Sequence, residues 1–394
     1  MKITIIYRLT NKNKYSISKL YPLTGGLLVK NFEELITILS NNKNNKNNKY
    51  VIIYSYTSLY KSNVENEINI IKKYKNNYND NNRNKIILIA GGPHPSGAPK
   101  QTINSSGFDY VICGEGEITL VNLLNKLKNN EEIENNILIG EKIDLNNYNS
   151  IDKKILTPVE ITRGCPYNCR FCQTPQIFGK KVRHRTVNNI LKLINKNSDF
   201  RAITPNALCY GSTTGTKPNI RKLELLLKSI KEQGNNRKIF FGTFPSEVRP
   251  EFITKQTIEL IVKYCDNTQL HFGAQSGSNE LLKYIKRGHT VENILNAVDL
   301  CNDYNIVPKV DFIFGFPNET EEHRELSFKL INYILKRNGK IHAHYFMPLV
   351  GTYFENYKPT KLDKKTLKIL GKLAQKKLIT GSWGYQMEKF KNSN

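Results

Sequence analysis

Three cysteines, Cys165, Cys169 and Cys172, lie within eight residues in the stretch RGCPYNCRFCQ. Thiolates are soft ligands that suit zinc and iron–sulfur clusters. Structural zinc takes four ligands; no fourth cysteine lies nearby, although His184 is a conceivable fourth ligand. A redox pair of Cys169 and Cys172 would leave Cys165 without a role. The C-x3-C-x2-C spacing therefore favours a four-iron cluster with one iron left open for a small molecule.

The other four cysteines stand singly in apolar runs, where small core thiols are common. An odd total of seven, without a secretory signal, argues against a disulfide framework. No apolar run reaches the roughly 18 residues that span a bilayer, and MKITIIYR has no cleavage site of the secretory kind. We therefore expect a cytoplasmic protein without a membrane partner.

The formal charge of +25 raises the question of nucleic-acid binding. Much of the Lys and Asn bias lies in NNKNNKNNK (41–49) and KKYKNNYNDNNRNK (72–85). These tracts lack the interleaved arginines and aromatics of a nucleic-acid groove, and they are typical of low-complexity loops or solvated helix ends. We do not expect nucleic acid as a partner.

The first 150 residues alternate short apolar runs with amphipathic stretches. In EITLVNLLNKL, Leu120, Val121, Leu124 and Leu127 would share one helical face. The alternation predicts a doubly wound α/β domain over 1–150, with ligands at the carboxyl ends of its strands. The predicted strands are 3–7, 50–56, 85–91, 109–114 and 136–140.

A second alternation of strands and helices follows over residues 151–352. Its six repeats are too few for a closed eight-stranded barrel, so we expect an open partial (β/α)6 barrel. A helical tail is predicted over 353–394. The strand candidates lie within 157–164, 200–211, 238–248, 269–277, 308–317 and 340–348.

Three segments of this barrel resemble the cobalamin-binding branch of the radical SAM family. They are FGAQSGSNELLKYIKRGHT (272–290), FIFGFPNETEE (312–322) and MPLVGT (347–352). The cysteine triplet has that family's spacing, and Phe171 matches its habitual aromatic residue. Gln275 departs from the family, where Glu is common at this position. The resemblance implies a Rossmann-like cobalamin-binding domain, then a partial radical SAM barrel and a short helical tail.

The resemblance also implies three cofactors: a 4Fe-4S cluster, S-adenosyl-L-methionine (SAM) and cobalamin. It assigns the cluster to the three clustered cysteines. The implied SAM contacts are Ser246, Glu247, Arg249, Gln275 and Ser276. The implied cobalamin contacts are Ser55, Tyr56, Thr57, Gly91, Gly92, Pro93, His94, Gly114, Glu115 and Gly116.

One cobalamin motif is absent, namely D-x-H-x-x-G, whose histidine ligates cobalt. His94 is the first histidine of the chain and precedes His184. A loop histidine between two prolines fits a hydrogen-bonding role better than cobalt ligation. We therefore expect a cobalamin site without a strong lower ligand.

The resemblance implies a methyltransferase that acts on an unactivated carbon through methylcobalamin and a 5′-deoxyadenosyl radical. The short chain is similar to an archaeal class B group that includes a glutamine C-methyltransferase of methyl-coenzyme M reductase. The expected partners are a protein or small-molecule substrate at the domain interface and an electron donor of ferredoxin or flavodoxin type. His344, Tyr345 and Phe346 are open candidates for substrate contacts.

Two alternatives remain. One is a radical SAM enzyme that cyclises or rearranges its substrate without methylation. The other is RNA modification, because methylthiotransferases share the barrel; those enzymes carry a second cysteine triplet in their N-terminal domain, whereas only Cys113 precedes Cys165 here.

Overall fold

The computed structural model describes residues 2–41, 48–76, 86–148, 151–195, 198–234 and 237–391. The two Lys/Asn-rich tracts, predicted as loops or solvated helix ends, lie largely outside these residues. The described part of the second tract is the end of a helix, which is one of the two predicted alternatives. The chain forms two compact units. The first comprises Met1–Leu156, Gln176–Phe178 and Leu349–Gly351, and the second Thr157–Pro175, Gly179–Pro348 and Thr352–Asn394.

The first unit contains a parallel sheet with the strand order β2-β1-β3-β4-β5-β6. The order reverses between β1 and β3, which is the switch point where doubly wound folds bind ligands. The strands are β1 Lys2–Arg8, β2 Leu27–Val29, β3 Asn48–Ser55, β4 Ile86–Gly91, β5 Tyr110–Cys113 and β6 Ile137–Ile139. The helices are α1 Lys14–Thr24, α2 Phe32–Asn41, α3 Lys61–Asn76, α4 Pro93–Gly97, α5 Pro99–Asn104 and α6 Glu117–Asn129.

Alternate residues of the central strands feed two apolar cores, one on each face of the sheet. On β3, for example, Ile52 packs into one core and Ile53 into the other. This double burial explains why the strands are almost continuously apolar. The predicted face of α6 needs one correction, because Leu123 is buried there and Val121 only half-buried. Strand β2 was not predicted, since it is only three residues long and half exposed.

The second unit is an open barrel of parallel strands that follow one another in chain order. One sheet has the order β11-β10-β7 and another β12-β13-β14-β15, and a parallel bridge between Val248 and Phe272 lies between them. The strands of these two sheets are β7 Val159–Glu160, β10 Phe200–Ile203, β11 Ile239–Phe240, β12 Gln269–Gln275, β13 Val307–Phe314, β14 Lys340–Tyr345 and β15 Ile379–Gly381.

A two-stranded antiparallel hairpin, β8 Thr162–Arg163 with β9 Arg183–His184, follows β7. The helices of this part of the chain are α7 Thr174–Phe178, α8 Val187–Leu193, α9 Ile220–Gln233, α10 Lys255–Tyr264, α11 Asn279–Tyr284, α12 Val291–Asp303, α13 Glu321–Leu335, α14 Lys364–Gln375 and α15 Trp383–Lys391. The predicted order of a doubly wound domain before a partial barrel is confirmed.

The predicted helical tail is wrong in one respect. Between its two helices the chain forms β15, which pairs in parallel with β14 and extends the barrel by one strand. Gly381 ends this strand with φ +137°, and a Cβ there would lie 1.9 Å from the Ala343 carbonyl oxygen. The sequence signal is weak because β15 has three residues, two of them exposed.

We predict that Gly381→Ala lowers the free energy of unfolding of the barrel unit by about 1–3 kcal/mol, because only glycine adopts this backbone without strain. Gly371→Ala is the matched control. Gly371 lies in α14 with no atom within 4 Å of its added Cβ, so alanine should stabilise by roughly 0.5–1 kcal/mol. Thermal unfolding of both variants measures the difference; equal midpoints would contradict the prediction.

Candidate functional site

The cysteine loop, residues 164–172, is tied to the β8–β9 hairpin that precedes and follows it. Gly164 has φ +91°, and a Cβ there would lie 2.2 Å from the Lys181 carbonyl oxygen. The amide of Cys165 donates to the Gly179 carbonyl at 3.1 Å. Glycine is therefore required where the chain enters the loop.

Beneath the loop lies a buried ionic group. The Arg163 guanidinium donates to the Glu160 carboxylate at 2.9 Å, and both side chains are 2% exposed. Arg185 adds a bond from its Nε to the Glu160 carbonyl at 2.9 Å. Breaking a buried pair of this kind costs about 3–5 kcal/mol. The pair therefore holds together β7 and β8, the two strands that directly precede the cysteine loop.

The three thiols of the loop lie close together and beside two guanidinium groups. Burial raises the pKa of Cys165 and Cys172, and the neighbouring Cys169 raises both further. Arg249 lowers the pKa of Cys165, and Arg287 lowers that of Cys172. Arg287 also donates to the Cys169 sulfur at 3.8 Å. Three converging thiols with adjacent positive charge form a donor set that fits an iron–sulfur cluster.

His184 does not join this group. Its Nδ1 contacts the Thr162 hydroxyl at 3.0 Å and its Nε2 the Ser212 carbonyl at 2.9 Å. Both ring nitrogens are thus engaged away from the cysteines, which removes the support for a zinc site with His184 as its fourth ligand. Within the described residues, no set of three or more His, Cys, Asp or Glu is arranged around a single ion.

Gln275, at the end of β12, shows two signs of a ligand contact. Its backbone has φ +72°, a conformation that costs a non-glycine residue about 1–3 kcal/mol. Its Oε1 is buried without a hydrogen-bond partner, and the residue is 7% exposed. Strain and an orphaned acceptor together indicate a side chain held ready for a donor.

Asp311 and Glu247 form a carboxyl pair on the barrel. Asp311 stands opposite Gly273 of β12 and His342 of β14 in the strand register. Burial, and then the Glu247 carboxylate, raise the pKa of Asp311 well above its usual range. The raised pKa favours the protonated form of Asp311, which would share a hydrogen bond with the Glu247 carboxylate. Sequence analysis missed Asp311 and Arg287, although Arg287 lies inside, and Asp311 directly before, the segments quoted for the resemblance.

Three of the predicted SAM residues are committed to internal bonds. The Ser246 hydroxyl donates to the Ala202 carbonyl at 2.8 Å, and Ser276 Oγ accepts from the Ser278 amide at 3.1 Å. The Arg249 guanidinium pairs with Glu251 and stacks 3.4 Å from the Tyr167 ring centroid. These contacts stabilise the loops, whereas Glu247 remains exposed.

The predicted cobalamin residues also come together, at the carboxyl ends of β3, β4 and β5. The Tyr56 amide donates to the Gly91 carbonyl at 3.2 Å, and the His94 amide to the Tyr56 carbonyl at 3.1 Å. The Gly114 amide donates to Ser96 Oγ at 2.9 Å. The loops after β3 and β4 are thus bonded to each other through their backbones, and the loop after β5 is bonded to the Ser96 side chain.

Glycine is required at one point of this junction. Gly92 has φ +89°, and a Cβ there would lie 2.6 Å from Ser55 Oγ and 3.0 Å from the Tyr56 amide. Pro93, next in the chain, starts α4, where its fixed φ is favourable. Glu115 is buried and accepts from the Ile143 amide at 3.2 Å, so its carboxylate supports the loop whose glycines, Gly114 and Gly116, flank it.

His94 faces the interior. Its ring stacks on Tyr56 with centroids 5.4 Å apart, and Nδ1 contacts the Ser58 hydroxyl at 3.0 Å. The residue is 2% exposed, and burial lowers its pKa to about 4. A neutral, stacked imidazole of this kind packs the loop from behind, in line with the hydrogen-bonding role expected from the sequence.

A cavity of about 230 Å³ opens at the switch point between β1 and β3. Ser55, Tyr56 and Thr57 line it, together with Asn13 and the ion-paired Arg8 and Glu67. Asn13 donates to the Arg8 and Ser55 carbonyls at 2.8 and 3.1 Å and so ties the two strand ends together. The cavity is large and polar enough to bind a polar substituent of a larger ligand, and too small to bind such a ligand whole.

Two known domain families match these units. The B12 binding domain matches residues 50–124, and the radical SAM superfamily matches residues 159–331. The chain carries a B12 binding domain followed by a radical SAM domain. A radical SAM domain implies a 4Fe-4S cluster and SAM, and a B12 binding domain implies cobalamin, as predicted. The cysteine loop lies in the radical SAM domain, and the loops around His94 lie in the B12 binding domain.

Solved structures support the same fold. TsrM, a radical SAM methyltransferase from Kitasatospora setae, is 14% identical and superposes with a TM-score of 0.67 over 90% of this chain and 76% of its own. The cobalamin-dependent radical enzyme OxsB is 15% identical, with a TM-score of 0.63 over 84% of this chain and 52% of its own.

Curated relatives are more similar in sequence. A putative methylthiotransferase of Methanocaldococcus jannaschii is 29% identical over 57% of this chain and 52% of its own length. A probable threonylcarbamoyladenosine tRNA methylthiotransferase of the same organism is 30% identical over 60% of this chain and 56% of its own. The chain thus spans just over half the length of these two relatives. None of the helices in the described ranges could span a membrane.

Three residues, His344, Tyr345 and Phe346, are the open candidates for a substrate contact. Of these, only His344 is partly exposed. Its Nδ1 contacts Ser382 Oγ at 3.2 Å, just after β15. Tyr345 is buried with its hydroxyl on the Thr360 carbonyl, and Phe346 packs against Phe316. His344 therefore remains the candidate of this group for a substrate contact.

The raised pKa of Asp311 predicts a stability effect. Because the folded state keeps a proton that the unfolded state releases above about pH 4, stability should fall as pH rises from 5 to 8. Asparagine cannot ionise, so Asp311→Asn removes this pH-dependent loss of stability. The melting temperature of the variant relative to wild type should therefore be higher at pH 8 than at pH 5. The exposed Asp303→Asn is the control, and a pH-independent gain for Asp311→Asn would refute the assignment.

Proposed function

We propose that this chain is a cobalamin-dependent radical SAM methyltransferase that places a methyl group on an unactivated carbon of a protein or small-molecule substrate. The observation that carries the proposal is the convergence of three thiols beside a barrel whose strand ends hold unsatisfied polar groups, in a chain that also has a B12 binding domain. The likeness to TsrM, a radical SAM methyltransferase, supports methylation as the reaction.

The chain's own residues would hold SAM beside the cluster. Cys165, Cys169 and Cys172 would ligate iron. The carboxyl oxygens of Glu247 and Asp311 would bind hydroxyl or amino groups of SAM. The guanidinium of Arg287 would donate two parallel hydrogen bonds to the carboxylate of SAM. Gln275 has an acceptor ready for a donor. When bound, the iron–sulfur cluster and SAM would supply a carbon-centred radical, and cobalamin would supply the methyl group.

The B12 binding domain would hold cobalamin through its three loops and the switch-point cavity. Glycines at 92 and 114 would let the backbone approach a flat ring, and Ser55 and Thr57 line the cavity with hydroxyls. We expect His94 not to ligate cobalt, because its ring stacks on Tyr56 and its Nδ1 is held by Ser58, although its Nε2 is buried without a partner.

A second candidate function is RNA methylthiolation, because curated relatives include a probable tRNA methylthiotransferase. The B12 binding domain favours methylation over methylthiolation. A third candidate is a cyclisation or rearrangement, in which no methyl group is transferred to the substrate. A cytoplasmic location and an electron donor of ferredoxin or flavodoxin type are part of the proposal.

The products of anaerobic turnover test the proposal. After reconstitution with iron, sulfide and hydroxocobalamin, and with SAM and a strong reductant added, methylation should yield 5′-deoxyadenosine together with S-adenosylhomocysteine. A variant with Cys165, Cys169 and Cys172 changed to Ala should lose the iron and both products, whereas the control Cys265→Ala should keep them. Deoxyadenosine alone would point to rearrangement, a thiomethylated tRNA to the second candidate, and iron retained by the triple variant would contradict the cluster assignment.

His94 gives a separate test of the cobalamin site. We expect His94→Ala to bind cobalamin several-fold more weakly, because a buried stacked ring behind the loop is lost, but with an unchanged visible spectrum of the bound corrin. Absorption spectra of the purified anaerobic protein measure this. A shifted cobalt spectrum relative to wild type would show that His94 is a ligand after all.

A further inference from the structure

The turn that carries two of the cysteines is held from outside by aromatic side chains. We propose that Arg170 is a positioning residue for the cluster, and that Tyr284 and Tyr353, here called the aromatic clamp, hold it in place. The inference rests on the proposed function, since it concerns the cluster that Cys169 and Cys172 would bind.

Arg170 and Phe171 are the two central residues of a four-residue turn. The Cys172 amide donates to the Cys169 carbonyl at 3.1 Å, which closes the turn. The separation of the two sulfurs therefore depends on the conformation of Arg170 and Phe171. Phe171 is fixed by Phe316, with ring centroids 5.4 Å apart.

The Arg170 guanidinium lies between the two rings of the clamp. Its carbon is 4.4 Å from the Tyr353 centroid and 4.8 Å from that of Tyr284. Its Nε is buried without a hydrogen-bond partner, and among the described residues no carboxylate pairs with it. The rings are thus the main electrostatic partners of this cation.

The backbone of Arg170 is held on both sides as well. Its amide donates to the Ile285 carbonyl at 3.0 Å, and its carbonyl accepts from the Phe354 amide at 3.2 Å. Phe354 is fully buried and packs on Tyr284 with centroids 5.6 Å apart. The chain segment 352–357, which lies between β14 and α14, therefore packs against the cysteine turn.

A loosened turn should release iron faster, because two of the three ligands would lose their fixed separation. Arg170→Gln removes the charge at similar length, and Arg170→Lys retains a cation for the rings. Tyr353→Leu removes one ring, and Tyr353→Phe keeps it. Arg337→Gln is the matched control, since Arg337 lies 3.5 Å from the Tyr333 centroid on α13, at a pair that touches no cysteine.

The experiment follows the loss of cluster absorbance from the reconstituted holoprotein in the presence of a chelator, with electron paramagnetic resonance of the reduced cluster. A lost cation–π contact of about 1 kcal/mol corresponds to roughly fivefold. We expect Arg170→Gln and Tyr353→Leu to lose iron about fivefold faster, with an altered resonance, and Arg170→Lys, Tyr353→Phe and Arg337→Gln to stay within twofold of wild type.

Two results would overturn the inference. Wild-type rates and spectra for Arg170→Gln would show that the clamp does not position the turn. Equal acceleration in Arg337→Gln would show general destabilisation instead. Failure of the cluster assignment looks different, because the wild-type protein itself would then bind no iron. Failure of methylation alone would leave the iron in place and change only the products of turnover.

Discussion

The carboxyl ends of parallel strands lie at one edge of a sheet, and the candidate cofactor residues of each unit depend on this constraint. In the B12 binding domain, the loops after β3 and β4 bond to each other through backbone amides and carbonyls, and the Gly114 amide after β5 bonds to Ser96 Oγ. In the radical SAM domain, Glu247 follows β11 and Gln275 ends β12. Residues distant in sequence meet only because the strands run in the same direction.

Buried polar groups at these strand ends fall into two kinds. Glu160 and Arg163 satisfy each other at 2.9 Å, and such pairs hold position. Gln275 and Arg287 each bury an atom without a partner, which costs about 1–3 kcal/mol per group. The surrounding core tolerates that cost, and a bound ligand could remove it. At these strand ends, the unsatisfied groups add to burial and charge as indicators of a binding site.

The sequence predicted the long apolar strands and the cysteine loop because both signals are local. It missed β2 and β15, which have three residues each and little buried surface to produce a pattern. The same limit applied to the site. A motif identifies Ser246 as a polar residue at a strand end, but only the fold reveals that its hydroxyl bonds to the Ala202 carbonyl. Asp311 was missed because strand alternation does not show which of two faces meets Glu247.

Arg287 joins the two halves of the radical SAM site. Its guanidinium donates to the Cys169 sulfur at 3.8 Å and to the Gly273 carbonyl at 3.2 Å, and its own carbonyl accepts from Arg249. Gly273 lies two residues before Gln275, so the cysteine loop and the strained end of β12 share one rigid side chain. A displacement of either must move or break these bonds. The positions of the thiols and of the candidate SAM contacts are therefore coupled through Arg287. A substitution that moves one of them should also move the other.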